Sequence, residues 1–203
     1  MALLHIAGFV AFASVVLILT QDVQIFPGVL FSLFSSARRD LRSLPQGVES
    51  VFIKTKDGKS LELWRLPAAE DVPKRPFVGL AFHGNAGTVD DFFLMQLWFQ
   101  ELGMTSYGFD YRGFGKSSGW PSEKGICSDG DAVWDYITGR EKIDADKIIV
   151  CGFSVGSAPA ARIAALHQPK LLVLVSAFTS IKDVIRSKLL FRFLAPFCWW
   201  RLS

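Results

Sequence analysis

Gly152-Phe153-Ser154-Val155-Gly156 lies between an apolar run, residues 147–151, and a stretch of small residues that continues to about His167. The apolar run is typical of a strand buried on both faces, and the small residues favour a helix. Gly152 and Gly156 have no side chains, so the strand and the helix can approach closely around a tight turn. The pattern predicts that the Ser154 hydroxyl projects above the end of the strand.

Predicted strands and helices alternate on both sides of this turn. Asp57-Gly58 favours a hairpin between two short strands, and beyond it four apolar runs predict buried strands. The alternation indicates an α/β fold with a mostly parallel sheet, helices on both faces and the hairpin at one edge. We expect strands at 51–55, 61–66, 77–82, 104–109, 147–151 and 171–175, and helices at 89–102, 126–138 and 154–167.

A second motif, His83-Gly84-Asn85-Ala86-Gly87, directly follows the strand expected at 77–82. Its small residues, Gly84 and Gly87 among them, let the chain fold back over the carboxyl edge of the sheet. We expect the backbone N–H of Asn85 to join that of Val155 in holding a tetrahedral oxyanion. His83 is interpreted as organising this loop through a backbone hydrogen bond, in preference to a catalytic role.

Ser154 is predicted to be a nucleophile at the start of a helix. Free N–H groups and the helix macrodipole favour negative charge at that position. The alternative is that Ser154 only caps the helix.

The two motifs, together with Asp110-Tyr111-Arg112-Gly113-Phe114-Gly115, resemble α/β-hydrolases of the serine-aminopeptidase and lysophospholipase-like group, over roughly residues 50–200. Among these, the chain is most similar to the membrane-anchored members. The resemblance implies an α/β-hydrolase fold in which Ser154 is the nucleophile and Asn85 and Val155 supply oxyanion N–H groups. It also implies that Asp110 and Arg112 organise the site without reacting. Residues 188–201 would begin a cap, with core or membrane-facing aromatic residues as the equal alternative.

The residues that should activate Ser154 are not found in the expected order. A serine hydroxyl needs an adjacent base, and this fold orders its triad as Ser, acid, His. After Ser154 the only acidic residue is Asp183 and the only histidine is His167. His167 lies 13 residues into the predicted helix, roughly 20 Å from the hydroxyl, and is not expected to be the base. We therefore expect a domain truncated after about the sixth strand, without the triad Asp and His.

The first twenty residues are almost all apolar, which is enough to span roughly 30 Å of hydrocarbon as a helix. We expect a transmembrane anchor and interfacial segment over 1–36, a linker over 37–49 and the partial hydrolase domain over 50–203. Three arginines, Arg38, Arg39 and Arg42, follow this segment. By the positive-inside rule they predict a single-pass membrane protein with its domain on the cytoplasmic side. A cleaved signal peptide is the alternative, although neither a positive n-region nor a clear cleavage site is present.

Composition narrows the function further. The net charge of +3 comes from basic residues spread along the chain, which predicts no nucleic-acid partner. Cys127, Cys151 and Cys198 have no metal-ligand spacing and are expected to be buried thiols, and we predict no metal, nucleotide or flavin cofactor. Membrane lipid and a small-molecule or lipid-like acyl substrate are the expected partners, and the oligomeric state stays open.

The leading hypothesis is a serine hydrolase that acts on acyl ester or related bonds. Peptidase activity rests on the family name alone. A catalytically inactive fragment or membrane-tethered scaffold is the alternative, and the missing acid and base favour it.

Overall fold

The structure is a computed structural model that describes residues 2–20, 44–85, 87–187 and 196 of the 203-residue chain. Several of the sequence predictions lie outside the described residues. These are the interfacial segment after residue 20, most of the linker with its arginines, Ala86, and the aromatic-rich stretch from 188 that contains Cys198.

Six strands form one sheet in the order β1-β2-β4-β3-β5-β6. β1 and β2 make the expected hairpin, β2 pairs antiparallel with β4, and the remaining neighbours are parallel. This confirms a mostly parallel sheet with the hairpin at one edge. The strands are β1 (Glu49–Lys54), β2 (Ser60–Leu66), β3 (Val78–Phe82), β4 (Thr105–Phe109), β5 (Ile148–Phe153) and β6 (Leu171–Val175).

The described residues include five α-helices. They are α1 (Ala2–Leu19), α2 (Phe93–Glu101), α3 (Glu123–Asp135), α4 (Ser157–His167) and α5 (Ile181–Ser187), of which α5 was not predicted. α2 begins later than expected because the Asp91 carboxylate accepts a hydrogen bond from the Thr88 amide, which stabilises a turn ahead of the helix. α3 begins earlier because the Ser122 side chain caps it by accepting from the Gly125 amide.

Helices cover both faces of the sheet, as predicted. Successive side chains of a strand point to opposite faces. Leu80 and Phe82 of β3 belong to a large apolar cluster with residues of α3 and α4, whereas Ala81 belongs to a smaller cluster with Met95 and Phe99 of α2.

The two described cysteines are free thiols, as expected: Cys151 is buried and Cys127 half-buried. Burial raises the pKa of Cys127 to about 11.

The N-terminal helix α1 covers the segment for which a transmembrane helix was expected. Its 18 residues amount to about 27 Å of helix, slightly less than the hydrocarbon thickness of a typical bilayer. Within residues 2–20, 44–85 and 87–187, no helix combines the length and the apolar character needed to cross a membrane.

Candidate active site

Ser154 lies at the turn between β5 and α4. Its backbone φ is +51°, in the left-handed region that residues other than glycine rarely adopt. Ser154–Gly156 form a 3₁₀ turn, and α4 begins at Ser157, so the prediction of a helix starting at Ser154 was wrong by three residues. A positive φ is incompatible with an α-helix, and this explains the later start. Such strain persists only where the surrounding contacts hold it.

Gly152 holds the strand side of the turn against α4. A Cβ atom at this position would lie 2.7 Å from the Cβ of Ala160 and 2.8 Å from the Cα of Ser157. The Ser157 hydroxyl donates to the carbonyl of Gly152 at 3.2 Å. The absence of a side chain at Gly152 therefore allows the helix to pack directly on the end of β5.

Gly156 holds the other side of the turn against the end of β3. A Cβ atom here would overlap the carbonyl oxygen of Phe82 and would lie 2.6 Å from that of His83. Its φ of −62° is ordinary, so glycine is needed at this position for close contact and not for conformation. This contact brings the Ser154 turn and the loop that begins at His83 together at the carboxyl edge of the sheet.

Aromatic side chains line the junction between these two segments. A Cβ atom on Gly84 would lie 3.1 Å from the ring of Phe153 and 3.3 Å from that of Phe92. The two rings contact each other, with centroids 5.2 Å apart, and both are half-buried. The residue directly before Ser154 thus contributes to an apolar surface beside the turn.

His83 is buried within the loop that it begins. Its Nδ1 lies 2.6 Å from the carbonyl oxygen of Gly84, and because a carbonyl can only accept, Nδ1 carries the proton. Its Nε2 lies 3.6 Å from an oxygen of Asp110, and its ring packs on Tyr111 at 4.3 Å. The backbone hydrogen bond expected of a loop-organising histidine is present.

The far end of the same loop is fixed through Asp110 and Asp91. The buried Asp110 carboxylate accepts a hydrogen bond from the Val89 amide at 2.8 Å. The Asp91 carboxylate accepts hydrogen bonds from both the amide and the hydroxyl of Thr88. Gly87 lies against Asp91, where a Cβ atom would come within 2.8 Å of the aspartate Cβ. The half-buried Asn85 therefore lies in a turn whose two ends are both held by buried groups.

Tyr111 connects this loop to the next one along the sheet. Its fully buried hydroxyl donates to the carbonyl of His83 at 3.1 Å. Burial raises the pKa of this phenol well above its usual value, which keeps it a donor. Tyr111 thus orients the same carbonyl that packs against Gly156.

Arg112 joins three separate elements behind the site. Its Nε and backbone amide donate to Asp129 of α3, and its terminal nitrogens donate to Asp57 in the β1–β2 turn at 2.8 and 3.1 Å. Hydrogen bonds from Arg112, then from Thr55, lower the pKa of Asp57 to about 2. Burial raises the pKa of Asp129, and its bonds to Arg112 act in the opposite direction.

The two residues considered as triad partners occupy other places. His167 is the last residue of α4, where its ring stacks on Trp134 at 4.8 Å. Asp183 lies in α5, bonded to the hydroxyls of Thr179 and Ser180 and to Arg186. His167 therefore contacts α3, and Asp183 contacts residues in and directly before its own helix.

Sequence reasoning missed Tyr111, Asp57 and Asp129 as residues that support the site. Tyr111 and Arg112 adjoin Asp110 in the quoted motif, but a motif does not show which way its side chains point. Asp57 and Asp129 lie 55 and 17 residues from Arg112, and no local pattern links them to it. An additional serine after a strand, Ser176, also has a positive φ of 54° and was missed.

A mostly parallel sheet covered on both faces, with a strained serine between an inner parallel strand and its helix, defines the α/β-hydrolase class. A family model described as "Serine aminopeptidase, S33" matches residues 77–202. The chain belongs to this family.

Two curated relatives extend over most of the chain. Protein bem46 of Schizosaccharomyces pombe is 34% identical over 140 residues, which cover 68% of this chain and 46% of that protein. The α/β hydrolase domain-containing protein WAV2 of Arabidopsis thaliana is 30% identical over 180 residues, which cover 87% of this chain and 58% of that protein. The chain spans about half the length of the curated relatives it matches.

Solved structures are similar in fold. An α/β hydrolase from Vibrio vulnificus superposes with a TM-score of 0.66 at 21% identity, over 84% of this chain and 62% of that one. The esterase Pf2001 from Pyrococcus furiosus superposes with a TM-score of 0.58 at 21% identity, over 74% of this chain and 60% of that one.

Gly156→Ala should lower the free energy of unfolding by about 1–3 kcal/mol, because the new methyl group must displace the backbone at the end of β3. Urea denaturation measures the change. Gly139→Ala is the matched control, since a Cβ atom there meets nothing within 4 Å. Equal effects of the two variants would contradict the close contact at Gly156.

The Asp57–Arg112 pair should make stability depend on pH. The folded pKa of Asp57 lies below its unfolded value, so the pair stabilises the fold above about pH 4, and this contribution is lost as pH falls towards 2. The difference in unfolding free energy between wild type and Asp57→Asn should shrink over that interval. It should stay below about 1 kcal/mol, because solvent screens the half-exposed Asp57. A difference that does not change with pH would refute the assignment.

Proposed function

We propose that this protein is a serine hydrolase in which Ser154 attacks the carbonyl carbon of an acyl ester or related substrate. The observation that carries the proposal is the strained Ser154 turn packed through Gly156 onto the carbonyls of Phe82 and His83. A half-buried serine held at positive φ at the carboxyl edge of a parallel sheet is the arrangement expected of a nucleophile in this fold.

The backbone amides of Asn85 and Val155 would stabilise the oxyanion of the tetrahedral intermediate. Two features support this assignment: Val155 directly follows Ser154 within the 3₁₀ turn, and the Asn85 turn is held at both ends. Each such donor typically increases the reaction rate by a factor of about 10²–10³. His83, Gly84, Gly87, Asp110, Arg112, Gly152 and Gly156 would organise the site without contacting the reacting atoms.

The substrate is proposed to carry an apolar acyl group. Phe153 and Phe92 provide an apolar surface beside the serine, suited to a hydrocarbon chain. A carboxylic ester or a thioester with a hydrocarbon acyl chain has both the carbonyl that Ser154 would attack and the apolar group that this surface would bind.

A non-catalytic, membrane-tethered module is the second candidate. It is favoured by the position of His167, whose ring stacks on Trp134 at the last residue of α4. In a module of this kind, a serine hydroxyl without an adjacent base stays protonated and is expected to react slowly unless a base is added.

We also propose that the N-terminal segment attaches the protein to a lipid surface with the hydrolase domain on the cytoplasmic side. Phe9, Phe12 and Leu19 of α1 are each about 70% exposed, an unusual density of exposed apolar side chains. Attachment would keep the acyl site beside lipid-like substrates.

Fluorophosphonate labelling in the presence of imidazole tests the nucleophile, because imidazole can replace a missing base. We expect adduct on the peptide that contains Ser154, at a rate about tenfold or more above that of any other serine, since the oxyanion donors act only there. Peptide mass spectrometry identifies the modified residue.

Ser154→Ala should abolish this adduct, and Ser176→Ala should leave it unchanged. Ser176 is a matched control because it also follows a strand and has a positive φ, and its greater exposure makes it at least as accessible to the reagent. Adduct spread equally over several serines would contradict the hydrolase proposal and favour the non-catalytic module.

Phe12→Asp should weaken lipid attachment, because a charge in the middle of the apolar helix costs about 2.5–3.5 kcal/mol on transfer into hydrocarbon. Flotation with phosphatidylcholine vesicles measures the bound fraction. Leu166→Asp, which places the same charge on an exposed apolar position of α4, should bind as the wild type does. Equal loss in both variants would argue against attachment through α1.

A further inference from the structure

A cavity of about 310 Å³ lies at the amino edge of the parallel strands, opposite the edge that carries Ser154. Phe77 and Val78 at the start of β3, Thr105 at the start of β4 and Lys147 just before β5 line its floor and walls. Its volume is in the range of small-molecule sites. The hydrolase proposal makes no use of it.

The cavity concentrates positive charge. Lys74, Arg75, Lys142 and Lys147 line it, and among the described residues Asp144 is the only carboxylate that does so. Asp144 pairs with Lys147 at 3.0 Å. The lining therefore carries three net positive charges, as many as the whole chain. Such a concentration favours an anionic ligand.

Arg75 is held in place by backbone groups. Its amide donates to the carbonyl of Gly103 at 2.8 Å, and its Nε donates to that of Leu102 at 3.0 Å. Gly103 has a φ of +76°, and a Cβ atom there would overlap the carbonyl oxygen of Pro73. The segment that carries Lys74 and Arg75 is thus packed tightly against the end of α2, and the guanidinium is partly preorganised.

Lys142 shows an independent irregularity at the same cavity. Its φ is +58°, in the left-handed region that favours glycine. It follows a π-helical turn, Tyr136–Arg140, at the end of α3. Strained backbone and π-turns are found preferentially at functional sites. Both irregularities occur in the segment that brings Lys142 and Ile143 to the cavity.

We propose that this cavity binds a phosphate ester whose organic part is apolar or aromatic. Arginine binds phosphate oxygens through paired N–H groups, and lysines add point charges. Pro76, Phe77 and Ile143 provide the apolar wall for the organic part. The phosphate group could belong to a soluble ester or to a lipid headgroup, since the recognition chemistry is the same.

Titration calorimetry of the full chain with phenyl phosphate and with inorganic phosphate tests the proposal. We expect one phenyl phosphate per chain, bound more tightly than inorganic phosphate because the ring contacts the apolar wall. The double variant Lys74→Gln/Lys142→Gln should lose about tenfold or more in affinity. The control Lys54→Gln/Lys124→Gln removes the same charge from exposed positions outside the cavity and should change affinity less than about twofold.

Lys142→Gly separates the side chain from the backbone strain. It should unfold at the same or a higher temperature than the wild type, because glycine accepts the positive φ, and it should still lose affinity. Ser154→Ala should bind phenyl phosphate normally, so failure of the hydrolase proposal does not affect this one. Equal weakening in the two lysine double variants, or no binding at low salt, would overturn the site.

Vesicles distinguish the two sources of the phosphate. If the ligand is a lipid headgroup, phosphatidic acid in phosphatidylcholine vesicles should increase binding of the wild type more than that of the Lys74→Gln/Lys142→Gln variant. Phenyl phosphate should then compete. If the added phosphatidic acid affects both proteins equally while phenyl phosphate still binds one per chain, the ligand is a soluble ester. Either result supports a phosphate site in the cavity.

Discussion

The contact between Gly156 and the carbonyls of Phe82 and His83 is the constraint on which the candidate site depends. It leaves no space for a side chain, so the turn after β5 is pressed directly onto the end of β3. Ser154 is held at positive φ within that turn. Two neighbouring parallel strands end at the same edge, and this packing therefore sets the serine beside the loop that contains Asn85.

Buried polar groups then fix the loop at both ends. Tyr111 orients the His83 carbonyl, and Asp110 accepts the amide of Val89 beyond the loop. Arg112 ties the motif that contains both residues to Asp57 and Asp129. An oxyanion site works through donors that are already in place before reaction, which lowers the cost of reorganisation. The proposed function thus draws on groups that never contact the substrate.

Local patterns were sufficient to predict the strands, their mostly parallel arrangement and the hairpin around Asp57-Gly58, because periodicity and turn residues act over a few positions. The Ser154 turn was also predicted, although α4 starts at Ser157 because a positive φ cannot belong to a helix. The Asp57–Arg112–Asp129 network and the cavity around Lys142 could not be predicted. They join residues far apart in sequence, and only the folded chain brings them together.

The crystal structure of the chain after reaction with a fluorophosphonate in the presence of imidazole tests the central claim most directly. The account predicts phosphorus bonded to the Oγ of Ser154, with the phosphonyl oxygen about 3 Å from the backbone nitrogens of both Asn85 and Val155. A phosphonyl oxygen directed into solvent, away from both amides, would contradict it.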